Sequence, residues 1–260
     1  MLIPEFAGGL GNMMFQLAST YAIAKQTGHR FGIQSIPLPP PRHSVVDYTQ
    51  NIFKKWLSFT TNALPSHKVM EHNAHRIDLN TIRQIPDDYM ILMAGYFQRH
   101  EYLEPNKEEV LSLFDLDLEE GLKRKYEGIE NAYFLHVRRG DYVGNSFHEM
   151  NYANYYKRAT ELIGKDKVAY IVSNDIEWCK QWDFLKTIPH RFVDEENEVD
   201  TLKIMMRCGL GGIAVNSSFS WWGLYLNTDR PYLILPSKWY PHHMIPEDGY
   251  YFKEATVVAV

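Results

Sequence analysis

The sequence predicts an α/β protein built on parallel sheets, and three observations support this class. In the second half of the chain, apolar stretches typical of buried strands alternate with stretches of helical period, which is the pattern of a doubly wound sheet. Near the start, a short apolar stretch runs into a glycine turn and then a helix, the opening of a strand-turn-helix unit. The 260 residues, 45% of them hydrophobic, suffice for two modest domains. We predict a boundary near 115–131, which gives a first domain at 1–120 and a second at 121–260.

The first domain begins with a strand at Leu2–Ile3, a glycine turn at 6–12 and a helix that Gly28 ends. Backbone N–H groups at such a turn can bind phosphate, but the turn matches neither the dinucleotide fingerprint nor the P-loop, and a tight packing turn is the favoured interpretation. The remaining predicted elements are a strand at 31–36, a proline-rich loop at 37–41, a strand at 89–97 and a helix at 106–114.

Two groups of polar residues in the first half resemble metal ligands only superficially. The histidines His67, His72 and His75 have no nearby cysteine or paired acid, so a solvated surface is the favoured interpretation. Asp115 and Asp117 form an Asp-x-Asp pair just before a helical stretch, and we favour a helix N-cap over a metal site there. No metal site is therefore predicted.

The second domain is the more regular half. Its predicted strands are 132–137, 168–175, 190–194, 211–218 and 232–236, and its predicted helices are 152–163, 176–185, 199–208 and 219–227. Because these elements alternate, the strands should be parallel and their carboxyl ends should meet at one edge of the sheet.

Charge and cysteine usage limit the function. The net charge is -5 and the pI is near 6.1, which argues against a general nucleic-acid binder, so any anion site must be local. Cys179 and Cys208 have no spacing typical of a zinc site or a disulfide framework. The sequence contains no apolar run of the roughly 20 residues that span a bilayer. We therefore expect a cytoplasmic protein, with peripheral association at the inner membrane face left open.

The stretch AYFLHVRRGDY at 132–142 carries the clearest anion site. Two arginines directly follow a buried strand, and alternation along the strand places His136 and Arg138 on one face and Arg139 on the other. A guanidinium binds phosphate bidentately and stays charged, so we predict a ligand contact for Arg138. For Arg139, we favour an ion pair with Asp141 that braces the site.

Two further strand ends carry polar residues. Asn174 and Asp175 follow the second strand and can cap the next helix or contact a ligand, with capping favoured. The segment NSSFSWWG at 216–223 offers hydroxyls and helix N-terminal N–H groups to phosphate oxygens, or a plain N-cap with tryptophans in the core. Three polar strand ends on one sheet edge together predict a binding site.

Four segments resemble the successive motifs of glycosyltransferase family 11, the α-1,2-fucosyltransferases: GGLGNMMFQLA at 8–18, HVRRGDY at 136–142, SNDIEWCK at 173–180 and NSSFSWWGLYLN at 216–227. The resemblance implies two Rossmann-like domains facing a cleft, the GT-B type, with the acceptor on the first domain and the donor on the second. It implies inverting transfer of L-fucose from GDP-β-L-fucose to the 2-hydroxyl of a galactose-containing glycan, with no cofactor besides the donor. The alternatives are transfer of another GDP-linked deoxysugar, or a non-catalytic nucleotide- or glycan-binding module.

The resemblance also implies roles for single residues. The catalytic set is Arg138, His136 and Asp141. The donor-binding set is Arg138, Gly9, Gly11, Asn12, Asn174, Asp175, Asn216, Ser217, Ser218, Phe219 and Ser220. An inverting displacement also needs a base near the acceptor hydroxyl, and the candidates nearest in sequence are Asp141, His148 and Glu149.

Overall fold

The computed structural model describes residues 1–36, 46–71, 75–195, 197–242 and 247–260, and these form two compact α/β units. The first unit comprises Met1–Leu116 with Asp248–Tyr250, and the second comprises Asp117–Glu247 with Tyr251–Val260. Both units contain a parallel sheet with helices, so the predicted fold class is confirmed. The predicted proline-rich loop at 37–41 and His72 lie outside the described residues.

The first unit contains a parallel three-stranded sheet of order β1-β3-β2, made of β1 (Leu2–Pro4), β2 (His67–Met70) and β3 (Ile91–Ala94). The predicted strand at 31–36 is wrong. Phe31 makes an isolated bridge to Leu2, whereas Ile33 bridges to Thr60. Because the segment changes its partner after two residues, no ladder forms.

The helices of this unit are α1 (Leu10–Thr27), α2 (Leu79–Arg83), α3 (His100–Leu103) and α4 (Lys107–Ser112). Helix α1 is buried over most of its length and ends as predicted at Gly28, whose φ of 78° is left-handed. Short 3-10 turns occupy Tyr48–Gln50, Lys54–Phe59, Glu104–Asn106 and Asp248–Tyr250.

The second unit contains a parallel six-stranded sheet of order β6-β5-β4-β7-β8-β9. Its strands are β4 (Ala132–Val137), β5 (Val168–Ser173), β6 (His190–Phe192), β7 (Gly211–Ile213), β8 (Tyr232–Pro236) and β9 (Thr256–Val258). Its helices are α5 (Glu120–Lys125), α6 (Ala153–Ile163), α7 (Ile176–Gln181), α8 (Glu198–Arg207) and α9 (Ser218–Tyr225). Counted from β4, the strand order is 3-2-1-4-5-6, which is the order of the Rossmann fold.

Close packing explains Gly212 in β7. Strand β4 is buried along its whole length because β5 and β7 flank it and helices cover its faces. A side chain on Gly212 would overlap the ring of Phe134, so only glycine lets β7 lie against this strand.

The cap predicted at Asp115 and Asp117 is wrong. Helix α5 begins at Glu120, with Glu119 in the N-cap position. The chain before it is tied down through its backbone, since the N–H of Asp115 donates to the Ile52 carbonyl and Lys203 Nζ donates to the Asp117 carbonyl. These two contacts fix the segment before the helix starts.

A buried arginine joins the carboxyl ends of two helices in the second unit. The side chain of Arg230 is 7% exposed, and its guanidinium donates to five backbone carbonyls at the ends of α8 and α9: Met205, Cys208, Gly223, Leu224 and Asn227. A positive charge there also complements both helix dipoles. Burial lowers the pKa of Arg230 to about 10, which still leaves it charged near neutral pH.

No helix among the described residues is long and apolar enough to cross a membrane. The cytoplasmic location stays a prediction.

Candidate active site at the switch point of the second sheet

The strand order fixes where a ligand can bind in the second unit. From β4 the chain builds β5 and β6 on one side and then returns to place β7 on the other side. The point of reversal lies between the carboxyl ends of β4 and β7, and ligands of doubly wound sheets bind in the crevice at this point. Arg138 follows β4 directly, and Asn216 and Ser217 follow β7, so two of the predicted polar strand ends flank the crevice.

The first arginine pairs with the aspartate that follows it. Arg138 Nη2 donates to Asp141 Oδ1 at 2.6 Å, and its guanidinium lies 5.1 Å from the centre of the Tyr142 ring. The Arg138 side chain is only 19% exposed, whereas that of Asp141 is 62% exposed. No described residue accepts a hydrogen bond from the buried Nε of Arg138. An anion can reach this guanidinium only through the part of the side chain that stays exposed.

The predicted pairing of Arg139 with Asp141 is wrong. Arg139 Nε instead donates to Asp175 Oδ2 at 3.1 Å, and its guanidinium stacks 3.9 Å from the centre of the Trp178 ring. The reason is the parallel pairing of β4 with β5, which sets Val137 opposite Ser173 and brings the two strand ends together. The second arginine thus braces the neighbouring strand end.

The residues after β5 have structural partners. Asp175 is the N-cap of α7 and accepts from the Trp178 N–H at 3.1 Å, which confirms the favoured capping role. Asn174 Oδ1 accepts the N–H of Arg139 at 2.9 Å. Gly140 has a left-handed φ of 50°, and a side chain there would run into the Asn174 amide. The turn after β4 consequently rests against the turn after β5.

Asn216 connects several parts of the site and is 2% exposed. Its Nδ2 donates to the carbonyls of His148 and Trp239 at 2.9 and 3.1 Å, and its Oδ1 accepts from the Tyr152 hydroxyl at 2.8 Å. Its own carbonyl accepts from the Tyr142 hydroxyl at 2.9 Å. The amide is hydrogen-bonded within the protein, which indicates a positioning role for Asn216. Its contact with a donor stays a prediction.

The segment Ser217–Ser220 forms the start of α9. Ser217 is the N-cap, and Ser220 lies inside the fold, where its Oγ accepts the Val215 N–H at 3.3 Å. The N–H groups of a first helical turn have no partners within the helix and, with the helix dipole, attract anions. Ser218 and Phe219 are half-buried at this end of the helix, and the two tryptophans that follow lie in the core as predicted.

His136 lines the same region from inside the sheet. Its ring lies 6.0 Å from that of Phe219 and is 2% exposed, and no described residue is bonded to its Nδ1. Burial, with a smaller effect of the Arg138 charge, lowers the pKa of His136 to about 3. The imidazole is therefore neutral at physiological pH and too weak a base to take a proton there.

The remaining predicted residues lie in the first unit. Gly9 is the N-cap of α1, Gly11 lies in its first turn, and Asn12 Oδ1 accepts from Gln98 Nε2 at 2.7 Å. Gln16 ties this turn to β3 by bonding the Ala7 N–H and the Gly95 carbonyl, both at 3.0 Å. The contact of these residues with a donor stays a prediction.

Sequence reasoning gave no role to Tyr142, Tyr152, Trp239 or Tyr240, all of which the structure places around Asn216 and His148. Tyr142 is part of the HVRRGDY segment, so this motif could have pointed to it. Tyr152, Trp239 and Tyr240 reach the site through contacts between distant parts of the chain, which no local motif indicates. Among the described residues, no group of three or more His, Cys, Asp or Glu could hold a metal ion.

A Rossmann-order sheet with a half-buried arginine and a helix N-terminus at its switch point is a nucleotide-binding arrangement, and comparison with known proteins places it among glycosyltransferases. The family model for glycosyl transferase family 11 matches residues 5–257, and the chain belongs to this family. It is similar to the Alpha-1,2-colitosyltransferase of Escherichia coli, with 25% identity over 92% of each chain. It is also similar to the O-antigen biosynthesis glycosyltransferase WbnK of Escherichia coli, with 24% identity over 90% of this chain and 93% of WbnK.

Proposed function

We propose that this glycosyltransferase moves L-fucose from GDP-β-L-fucose to the 2-hydroxyl of a galactoside, with inversion at the anomeric carbon. The observation that supports the proposal most is the position of Arg138. It is a half-buried cation directly after the central strand and at the switch point of a Rossmann-order sheet.

Arg138 and α9 supply the positive potential that the leaving diphosphate needs. Cleavage of the sugar-phosphate bond develops negative charge on GDP, and donors already fixed in place stabilise that charge. The planar guanidinium suits phosphate oxygens, and the start of α9 adds the positive end of a helix dipole. An incoming phosphate binds the exposed part of Arg138 beside Asp141, whereas Arg139 stays with Asp175 and Trp178.

Colitosyl transfer is the second candidate, because one E. coli relative is named an Alpha-1,2-colitosyltransferase. Colitose is fucose without the 3-hydroxyl, and the diphosphate contacts proposed above do not depend on that hydroxyl. Discrimination between the two sugars must therefore come from other contacts, so substrate tests have to include both donors.

The test is a donor and acceptor screen with the purified protein. GDP-fucose and GDP-colitose are each incubated with β-galactosides, GDP release is followed, and the linkage of the product is determined by NMR. The proposal predicts an α-1,2-linked fucosyl product formed faster than the colitosyl product. A faster reaction with GDP-colitose favours the second candidate, and GDP binding with release at the rate of background hydrolysis contradicts transfer altogether.

A further inference from the structure

The proposed reaction needs a group that takes the proton of the acceptor hydroxyl. The buried His136 is too weak a base for this role. Asp141 is paired with Arg138, and Glu149 Oε2 accepts the Gly144 N–H at 3.0 Å, where it closes a turn. One further titratable side chain of this loop, that of His148, lies at the switch point.

The backbone of His148 is held on both sides. Its N–H donates to the Asn145 carbonyl at 3.0 Å, and its carbonyl accepts from Asn216 Nδ2 at 2.9 Å. Asn145 also holds the residue before it, since Asn145 Oδ1 accepts the Phe147 N–H at 3.0 Å. The position of this histidine is therefore fixed by hydrogen bonds that do not involve its side chain.

Aromatic rings fix the imidazole. It stacks on Tyr142 with ring centres 4.6 Å apart and an angle of 13° between the planes, and the half-exposed Phe147 meets it edge-on at 4.9 Å. The ring of Tyr240 lies 6.4 Å from that of His148. These are contacts between aromatic rings. The imidazole remains half-buried, with part of its surface exposed.

The imidazole and the arginine lie against the same tyrosine. The Arg138 guanidinium is 5.1 Å and the His148 ring 4.6 Å from the centre of the Tyr142 ring, so the two groups are less than about 10 Å apart. The candidate base and the cation proposed for the leaving diphosphate therefore belong to one cluster of side chains.

We propose that His148 is the general base of the reaction, an inference that rests on the proposed glycosyl transfer. A nitrogen of its imidazole takes the proton of the acceptor hydroxyl while the oxygen forms its bond to the anomeric carbon. The bond between that carbon and the β-phosphate oxygen breaks, and its electron pair leaves with GDP beside Arg138. The imidazolium then releases the proton to solvent.

The charges around His148 keep it in the basic form. Burial lowers the pKa of His148, the Arg138 charge acts in the same direction, and Asp141 opposes both. Tyr142 is neutral because burial raises the pKa of its phenol to about 12, and Glu149 and Tyr240 are the other titratable neighbours. The imidazole is therefore mostly neutral at pH 7, the state that a base requires.

The test compares the full-length protein with His148→Gln, and with His67→Gln as the matched control. The ring of His67 also packs against a tyrosine, Tyr89, with ring centres 4.1 Å apart, but it lies in the first unit. We expect His148→Gln to lower kcat by about 10²- to 10⁴-fold while its GDP affinity and circular dichroism stay those of the wild type. In a plot of log kcat against pH, the wild type should show an acid limb, a fall with unit slope below an apparent pKa under 6.5. This acid limb should be absent from His148→Gln but present in His67→Gln and Glu149→Gln.

A His148→Gln variant with kcat within about threefold of the wild type, or with the same acid limb, overturns the assignment. If the acid limb of the pH–rate profile is lost in Asp141→Asn but survives in His148→Gln, the general base is Asp141. Wild-type protein that binds GDP but transfers neither sugar overturns the proposed function and the base with it. Wild-type turnover that survives in His148→Gln overturns the base alone.

Discussion

Replacement of Asn216 by alanine should both destabilise the second unit and slow the reaction. The change removes the amide donor from the His148 and Trp239 carbonyls and the acceptor from the Tyr152 hydroxyl. An unpaired buried polar group costs about 1–3 kcal/mol, and because water can reach part of this loop we expect a total loss of about 2–4 kcal/mol. The corresponding decrease in Tm is roughly 5–15 °C. Since the loop that carries Tyr142 and His148 loses its anchor, kcat should fall more than tenfold well below Tm.

Arg230→Met provides a control of comparable destabilisation. Arg230 sits at the carboxyl ends of α8 and α9, and α9 begins at the site, so this arginine is a full helix away from it. Loss of its bonds to five carbonyls should cost about 3–5 kcal/mol without a change in kcat at low temperature. The assays are differential scanning calorimetry and initial rates at a temperature where both variants are folded. A Tm decrease below 2 °C for Asn216→Ala, or equal rate losses in both variants, would refute the reasoning.

Three other predictions concern the same region. Tyr142→Phe should lose about 1 kcal/mol, the net worth of its bond to the Asn216 carbonyl, yet keep more activity than Tyr142→Leu because the ring against His148 remains; equal initial rates for the two variants would contradict a role for the ring. Burial lowers the pKa of His136 to about 3 in the folded protein, so below pH 6.5 the histidine takes up a proton only in the unfolded state. The free energy of unfolding should therefore decrease as the pH falls below 6.5. The decrease amounts to about 2 kcal/mol at pH 5. Urea denaturation at pH 7 and pH 5 should show this decrease in the wild type but not in His136→Gln, and the same pH dependence in both proteins would contradict the prediction. Transfer should persist in excess chelator because Arg138 and α9 supply the positive charge, and a strict requirement for a divalent ion in the rate assay would reject this.

Much of the second half of the fold was predictable because its central strands are buried and helices α6 and α8 are amphipathic, so these elements stand out from their neighbours. β4 and β5 appear in the sequence as apolar runs that end at polar residues. The edge strand β9, with only Val258 buried, has no such contrast and was missed. In the first unit, Phe31 and Ile33 have strand-like composition but different partners, which local sequence does not reveal.

The site could be located from the sequence, but its internal pairing could not. The ends of parallel strands share one edge, so Arg138, Asp175 and Ser217 were expected near each other. Which carboxylate pairs with which arginine depends on the register of β4 against β5, and that register brings Asp175 to Arg139 across 36 positions of the chain. The contacts of Asn216 with Tyr152 and of Arg230 with two helix ends are likewise set by tertiary packing.

The affinity of GDP for single-arginine variants tests the central claim most directly. Isothermal titration calorimetry would compare the wild type with Arg138→Ala and with the matched variant Arg139→Ala, after circular dichroism has verified folding. A hydrogen bond to a charged group contributes about 1.5–3 kcal/mol, so Arg138→Ala should weaken GDP binding by roughly 10- to 100-fold. Arg139→Ala should weaken it by a clearly smaller factor, because Arg139 is engaged with Asp175 and Trp178. Unchanged GDP affinity in Arg138→Ala, or a larger loss in Arg139→Ala, would contradict the assignment of the switch-point site.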